Sequence, residues 1–190
     1  RSAEDEKNAI KFTASEKFSA FLAAIVHDYG HPGVTNNFLM NTQDQLWIRY
    51  NGTSVLESMH CAESMRLLLS DQYMFIPPAK VEGDLQKYDV HSKVVALVLS
   101  TDMTRHVEIT AVMRAKLATG SYSMMNKEDR LLTLQMFIKM ADISNPARQW
   151  TTYVKWAKCV MREFYAQGDR EKAGKLAVST FMDRQNSDGC

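Results

Sequence analysis

Apolar residues recur at helical intervals along most of the chain, with polar turn residues between the stretches. The first stretch follows Thr13 and Glu16, whose spacing is that of a capping box. Its apolar positions are Phe18, Phe21, Leu22, Ile25 and Val26. This pattern predicts an amphipathic helix that ends at His27.

Further patterns predict five more helical segments. They cover about residues 53–71, 85–101, 107–117, 127–142 and 150–167, and the last resumes over 170–178 after Gly168-Asp169. Ser54 and Glu57 have capping-box spacing at the start of the 53–71 segment. A strand over 94–99 is the alternative for the third segment, but a helix is preferred because no second alternating run is available to pair with it. Residues 45–50 form a short mixed segment, and the whole pattern predicts one compact all-α domain over 1–190.

Composition and charge narrow the function classes. The 190 residues are 45% hydrophobic and 24% charged, as in a soluble globular domain. Lys and Arg number 23 against 22 Asp and Glu, and no basic block is present, which argues against polymeric nucleic acid as a partner. The apolar runs are far shorter than the roughly twenty residues of a membrane span.

The cysteines and the N-terminus add expectations about the cellular setting. Cys61, Cys159 and Cys190 are scattered without the spacing of a disulfide framework or a zinc ribbon, which favours a reducing, intracellular and cytoplasmic location. The chain starts at Arg1 with a charged stretch that lacks the apolar core of a signal peptide. The absence of an initiator Met suggests a fragment.

Potential ligands are most concentrated where the first helix ends. His27, Asp28 and His31 lie within five residues, directly before Pro32 and Gly33. In a helical backbone the two imidazoles would share one face, and Pro32 would place the group at a helix end. The residues leave open whether this group binds a metal or whether the histidines are hydrogen-bonded structural residues.

Three acids lie near the ends of other predicted helices. Glu57 has an alternative role as the partner in its capping box, and Asp102 has one as an ion pair with His106. Asp142 shares the inward side of its helix with Ile138, so it needs a partner. Several helix ends could therefore converge on one pocket.

The motifs that hold these residues resemble those of the class I cyclic-nucleotide phosphodiesterases. They read His-Asp-x-x-His-Pro-Gly-x-x-Asn at 27–36, Tyr-Asn-x-x-Ser-Val-Leu-Glu at 50–57, Thr-Asp-Met-x-x-His at 101–106 and Ala-Asp-Ile-Ser-Asn-Pro at 141–146. Segments 163–171 and 182–184 also match, so the resemblance covers nearly the whole chain. It implies the all-α, multi-helix catalytic fold of that family, an HD-type fold.

The resemblance also implies a two-metal site. His27, Asp28 and Asp142 would bind a tightly held metal, usually zinc, and Asp28 would bridge to a second ion, usually magnesium or manganese. The residues that would orient the waters of the second ion are His31, Glu57, Thr101 and Asp102. A hydroxide held between the ions would attack the cyclic phosphate of cAMP or cGMP and give the 5′-monophosphate.

Five further positions match the family's purine pocket. Asn145 would lie beside the purine, and Met103 and Tyr153 would form the pocket wall. Val160 and Phe164 would form the apolar clamp and its support, although core packing at helical spacing explains both residues equally well.

Two features of the family motif are not found in these 190 residues. The general-acid histidine belongs to an upstream His-Asn-x-x-His-Ala motif, and residues 1–26 contain no histidine. The purine-binding Gln and Phe follow the region of Asp183 and Arg184, and the sequence ends at Cys190. The expectation is a partial catalytic domain that lacks the N-terminal helices and the C-terminal purine-clamp helix and has little or no activity.

Two alternatives stay open at this point. One is another HD-type metallophosphohydrolase, and the other is a catalytically dead fragment or pseudoenzyme with a binding role. A homodimer, or regulatory domains outside this segment, would be compatible with the resemblance.

Overall fold

The computed structural model describes residues 12–70, 72 and 87–185, and these residues form helices and turns without a β-strand. The helices are α1 (Ala14–Val26), α2 (Asn36–Asn41), α3 (Gln45–Arg49), α4 (Val55–Leu68), α5 (Lys87–Leu99), α6 (His106–Ala118), α7 (Lys127–Asp142) and α8 (Trp150–Ala173). Short 3-10 turns lie at Met103–Arg105 and Asn145–Ala147. The predicted all-α class is confirmed.

The main core is built around α5, which packs against α1, α4 and α7. Val94, Leu97 and Val98 of α5 are completely buried. The segment is helical from Lys87 to Leu99, so the choice of a helix over a strand is correct. Its predicted start at residue 85 lies outside the described residues.

A second, smaller core lies below the loop that carries His31. It is formed by Val34, Phe38, Leu39, Val55, Leu56 and Met59. The sequence patterns did not predict the two short helices α2 and α3, which begin with local caps. The side chain of Thr35 accepts a hydrogen bond from the Phe38 N–H, and that of Asp44 accepts one from the Leu46 N–H.

The capping box at Thr13 and Glu16 is confirmed, because both of its hydrogen bonds are present. The capping box at Ser54 is wrong. Ser54 has a left-handed backbone with φ of 41°, and its hydroxyl donates to Asp102 at 2.6 Å instead of capping α4. The N–H of Leu56 donates a hydrogen bond to the side-chain oxygen of Asn36 at 2.9 Å, so a residue from α2 caps α4.

The buried face of α1 agrees with the predicted one only in part, since Leu22 and Val26 are buried as expected. Phe21 and Ile25 are 75% and 78% exposed, whereas Ser15 and Glu16 are buried. Glu16 pairs with Arg130 of α7 at 2.9 Å, and Ser15 donates to Asp89 of α5. These cross-helix partners make it possible to bury polar side chains on this face.

The predicted break in the last helix is also wrong, since α8 runs without interruption from Trp150 to Ala173. Gly168 lies inside it because the chain that returns after α8 crosses at this point. A Cβ atom at position 168 would lie 2.0 Å from the carbonyl oxygen of Met182. Glycine here permits close packing rather than a turn, and residues 174–178, predicted as helix, lie beyond the helix end at Gly174.

Among the described residues, no helix combines the length and the apolar character that crossing a bilayer requires.

Candidate active site

His27 lies at the end of α1, where the chain leaves the helix and turns toward Pro32. Its Nδ1 is 2.9 Å from the carbonyl oxygen of Ala24, so Nδ1 donates a hydrogen bond to that oxygen. The other nitrogen, Nε2, lies 3.3 Å from Oδ1 of Asp142 and 3.4 Å from Oδ2 of Asp28. The carboxylate of the neighbouring residue Asp28 and that of the distant residue Asp142 therefore face the same imidazole nitrogen.

These contacts set the charge of His27. The hydrogen bond to Asp142 raises the pKa of His27 to about 9, against the opposing effect of burial. The Ala24 carbonyl and the charge of Asp28 add to the rise. In the absence of a metal, a proton on Nε2 thus occupies the position between the carboxylates.

The same arrangement fits a metal ion. Ligand atoms of His27, Asp28 and Asp142 all lie within 4.8 Å of one another, and no other such group of three is found among the described residues. One imidazole with two carboxylates is a donor set that zinc accepts. Asp142 was expected to face inward, but it lies at the open end of α7 and its side chain is 33% exposed.

His31 does not join His27. It stacks on His60 of α4, with ring centroids 5.6 Å apart. Its Nδ1 accepts a hydrogen bond from the N–H of Gly33 at 3.0 Å, which leaves Nε2 to donate in the neutral ring. The helix therefore ends before it can place His27 and His31 on one face.

The sequence analysis did not single out His60. This side chain is buried, and Nδ1 donates to the carbonyl oxygen of Tyr29 at 2.7 Å. Burial lowers the pKa of His60, so its neutral ring presents a bare Nε2, 3.8 Å from Oδ1 of Asp28. Its position one helical turn after Glu57 was the only sequence signal that could have identified it.

A cavity of about 320 Å³ brings together most of the residues expected at the second metal. His31, Glu57, Thr101 and Asp102 line it, together with Met103 and Phe164, which were expected in the purine pocket instead. The structure confirms that these residues lie close together, and the roles expected of them remain predictions.

The two acids of this cavity are held differently. Burial alone would raise the pKa of Asp102, but hydrogen bonds from the Ser54 hydroxyl and the Thr104 N–H outweigh it and lower the pKa. Burial raises the pKa of Glu57, although the side chain of Asn36 donates to its Oε2 at 3.0 Å. Asn36 thus connects Glu57 to the start of α4, a role that the sequence did not indicate.

A larger cavity of about 590 Å³ lies beside the metal-type group, which is formed by His27, Asp28 and Asp142. These three residues and Asn145 line the cavity. Arg148, Thr152 and Trp156 also line it, and the sequence analysis had given them no role. The side-chain oxygen Oδ1 of Asn145 is buried without a hydrogen-bond partner. An unpaired buried acceptor at a cavity wall is suited to bind a ligand.

Two of the five expected purine-pocket residues line neither cavity. Tyr153 packs on Trp150 with ring centroids 5.5 Å apart, and Val160 is 42% exposed. Met103 and Phe164 line the smaller cavity and Asn145 the larger one. The structure therefore divides the expected purine pocket rather than assembling it.

Comparison with known proteins agrees with this geometry. The family model described as 3'5'-cyclic nucleotide phosphodiesterase matches residues 3–189. The rat 3',5'-cyclic-AMP phosphodiesterase 4C is 35% identical over 182 residues, which are 93% of this chain and 33% of that protein. The mouse high affinity cGMP-specific 3',5'-cyclic phosphodiesterase 9A is 36% identical over 174 residues, 92% of this chain and 32% of that protein.

The chain thus spans about a third of the length of these two relatives. The match nevertheless includes every motif that carries the metal-type group and the acids of the smaller cavity. The chain belongs to the 3',5'-cyclic nucleotide phosphodiesterase family.

Proposed function

We propose that this chain contributes the metal-binding part of a catalytic centre that hydrolyses 3',5'-cyclic nucleotides to 5'-nucleoside monophosphates. The observation that carries the proposal is the convergence of His27, Asp28 and Asp142, which come from the end of α1 and the end of α7. Family membership supplies the substrate class.

In this proposal, His27, Asp28 and Asp142 hold a zinc ion. Asp28 also faces His60 on its other side, at 3.8 Å, so its second oxygen is free of His27 and suited to reach a second ion, magnesium or manganese. Bound divalent cations supply Lewis acidity and a water of lowered pKa for attack on the cyclic phosphate.

The residues of the smaller cavity orient water in this account. Glu57 and Asp102 accept hydrogen bonds, whereas His31 donates one from Nε2 because its Nδ1 already accepts from Gly33. Thr101 supplies a hydroxyl at the same cavity. Such outer residues fix the water shell that magnesium keeps when it binds to proteins.

The larger cavity is the proposed site of the nucleotide. Asn145 offers its unpaired oxygen to the purine edge, and Trp156 offers an aromatic face. The walls and clamp proposed for the purine site are Met103 and Phe164, which line the smaller cavity, and Tyr153 and Val160, which line neither cavity. The relatives include one named for cAMP and one named for cGMP, so both nucleotides belong in the test.

Protonation of the leaving oxygen is the step to which this proposal assigns no residue of the described part of the chain. Residues 1–26 contain no histidine, whereas the family motif places the general acid upstream of His27. General acid catalysis contributes a factor of about a hundred to ten thousand. We therefore expect the 190-residue chain alone to turn over slowly, and a protein that binds metal and nucleotide without turnover is the second candidate.

Cellular setting and assembly are further parts of the proposal. Cys61 and Cys159 are free thiols, which is compatible with a reducing, cytoplasmic location. A homodimer, or regulatory domains outside this segment, would be compatible with the proposal.

The test is an assay of 5'-nucleotide formation from cAMP and from cGMP, with zinc and magnesium present. Slow turnover that requires metal and is lost in Asp142→Asn, but not in the control His91→Ala, would support hydrolysis. Binding of metal and nucleotide with no turnover would favour the second candidate. Turnover that persists in Asp142→Asn or without metal would contradict the proposed site.

A further inference from the structure

A buried lysine lies between the two halves of the proposed site. Lys139 of α7 is 4% exposed, and its Nζ donates to the carbonyl oxygen of Ser100 at 2.6 Å and to that of Asp102 at 3.3 Å. Both oxygens belong to the segment that leaves the C-terminal end of α5. In the part of the chain that the structure describes, Lys139 forms no ion pair with a carboxylate.

Such a lysine is costly for a core. An ammonium group loses its hydration on burial, and carbonyl oxygens compensate for less of this loss than a paired carboxylate. Burial lowers the pKa of Lys139, whereas the charges of Asp102 and Asp142 favour its charged form. An apolar side chain of similar length would fill this position at lower cost, so the contacts that the lysine makes need another explanation.

The two carbonyls provide that explanation, because they control the direction of Asp102. Thr101 and Asp102 line the smaller cavity, and the side chain of Asp102 is in turn held by the Ser54 hydroxyl and the Thr104 N–H. Lys139 fixes the backbone on one side of this carboxylate, while Ser54 and Thr104 fix its oxygens. Asp142, three residues after Lys139 on the same helix, belongs to the group that faces His27.

We propose that Lys139 is a positioning residue that ties the 100–102 segment to α7. In this way it holds Asp102 at the smaller cavity, in a fixed position relative to His27, Asp28 and Asp142. The proposal rests on the second-metal site described above. Lys139 touches neither substrate nor metal in this account, and it acts through the backbone of residues 100–102.

Whether substitution of Lys139 strengthens or weakens metal binding distinguishes a positioning role from a purely electrostatic one. A buried cation near Asp102 and Asp142 repels a metal ion, so removal of the charge alone would tighten cation binding. Loss of the correct direction of Asp102 would weaken it instead, on the order of tenfold, as for other residues that support a metal site from outside its ligands.

The experiment measures manganese binding by electron paramagnetic resonance on the zinc-loaded 190-residue chain and on Lys139→Met. In parallel, hydrogen exchange is followed at the amide of Thr104, whose N–H donates a hydrogen bond to the carboxylate of Asp102 at 2.8 Å. The proposal predicts about tenfold weaker manganese binding and faster exchange at Thr104 in Lys139→Met, with zinc binding retained.

Lys116→Met is the matched control. Lys116 also forms a structural contact, with buried Asp129 at 2.7 Å, near the opposite end of α7. This variant should unfold at a lower temperature without a change in manganese binding or in Thr104 exchange. If Lys139→Met does not fold, Lys139→Gln replaces it, since a glutamine amide can still donate to one carbonyl, and the same two shifts are then expected at smaller size.

Each outcome is informative. Unchanged or tighter manganese binding together with unchanged exchange at Thr104 would overturn the proposal. Absence of manganese binding in the unsubstituted chain would overturn the second-metal site, and exchange at Thr104 would then decide separately whether Lys139 holds the segment.

Discussion

The hydroxyl of Ser54 donates to the carboxylate of Asp102 at 2.6 Å, although the two residues are 48 positions apart. Ser54 precedes α4, and Asp102 follows α5. This bond therefore joins the start of the helix that carries Glu57 and His60 to the segment that carries Thr101 and Asp102. It also explains why Ser54 does not cap its own helix.

Replacement of Ser54 by Ala should destabilise the chain and raise the pKa of Asp102. A hydrogen bond to a charged, buried group contributes about 2 kcal/mol, and its loss leaves one carboxylate oxygen without a donor. Urea unfolding at neutral pH would measure the change in the free energy of unfolding.

Ser58→Ala is the control for that prediction. Ser58 lies on the same helix, and its hydroxyl bonds only to the carbonyl oxygen of Thr53 at 3.3 Å. Its removal should cost less than about 0.5 kcal/mol, as at other positions without a special contact. Equal losses in the two variants would show that the bond between Ser54 and Asp102 has no particular importance.

Gly168→Ala should also destabilise the chain, by about 1 to 3 kcal/mol, because the new methyl group would overlap the carbonyl of Met182. At an ordinary position inside a helix the same change would be stabilising, since glycine is the poorer helix former. Thermal unfolding of the variant would show the sign directly.

The control here is Gly174→Ala, just past the end of α8. The nearest atom to a Cβ at that position is the carbonyl oxygen of Arg170, at 3.3 Å rather than 2.0 Å, so the change should cost clearly less than Gly168→Ala. A Gly168→Ala variant as stable as the unsubstituted chain would mean that Met182 does not pack against Gly168.

The sequence predicted those parts of the fold that depend on local patterns. The bounds of α7 agree with the predicted 127–142, and Thr13 caps α1 with Glu16 as expected. The errors at Ser54 and Gly168 have a common origin. In both cases a partner distant in sequence, Asp102 or Met182, decides the conformation, and no local pattern contains that information.

The candidate site shows the same division. The motifs identified His27, Asp28 and Asp142, which the structure brings together. They gave no reason to single out His60 or Lys139, and they marked Asn36 without indicating its role; the contacts of these residues are made largely through backbone groups. On α1, Leu22 and Val26 are buried as predicted, but Phe21 and Ile25 are exposed while Ser15 and Glu16 are buried with cross-helix partners, which hydrophobic periodicity does not reveal.

The stability of the metal-free chain should depend on pH through His27. Asp142 raises the pKa of His27 in the folded chain to about 9, from an ordinary value of 6.5. The contribution of this contact to stability is therefore complete below about pH 6.5 and is lost as the pH rises through about 9. Unfolding temperatures of the unsubstituted chain and Asp142→Asn, measured with a chelator present, should differ most near pH 6 and converge above pH 9. A constant difference from pH 6 to pH 10 would contradict the contact between His27 and Asp142.

The most direct test of the central claim is zinc content. The purified 190-residue chain is dialysed against limiting zinc with a competing chelator, and bound metal is measured by mass spectrometry together with His27→Ala, Asp142→Asn and the control His91→Ala. We predict one zinc ion per chain in the unsubstituted protein and in His91→Ala, and a loss of more than about tenfold in affinity in the other two variants. An unsubstituted chain without zinc, or equal zinc in all four proteins, would contradict a metal centre at His27, Asp28 and Asp142.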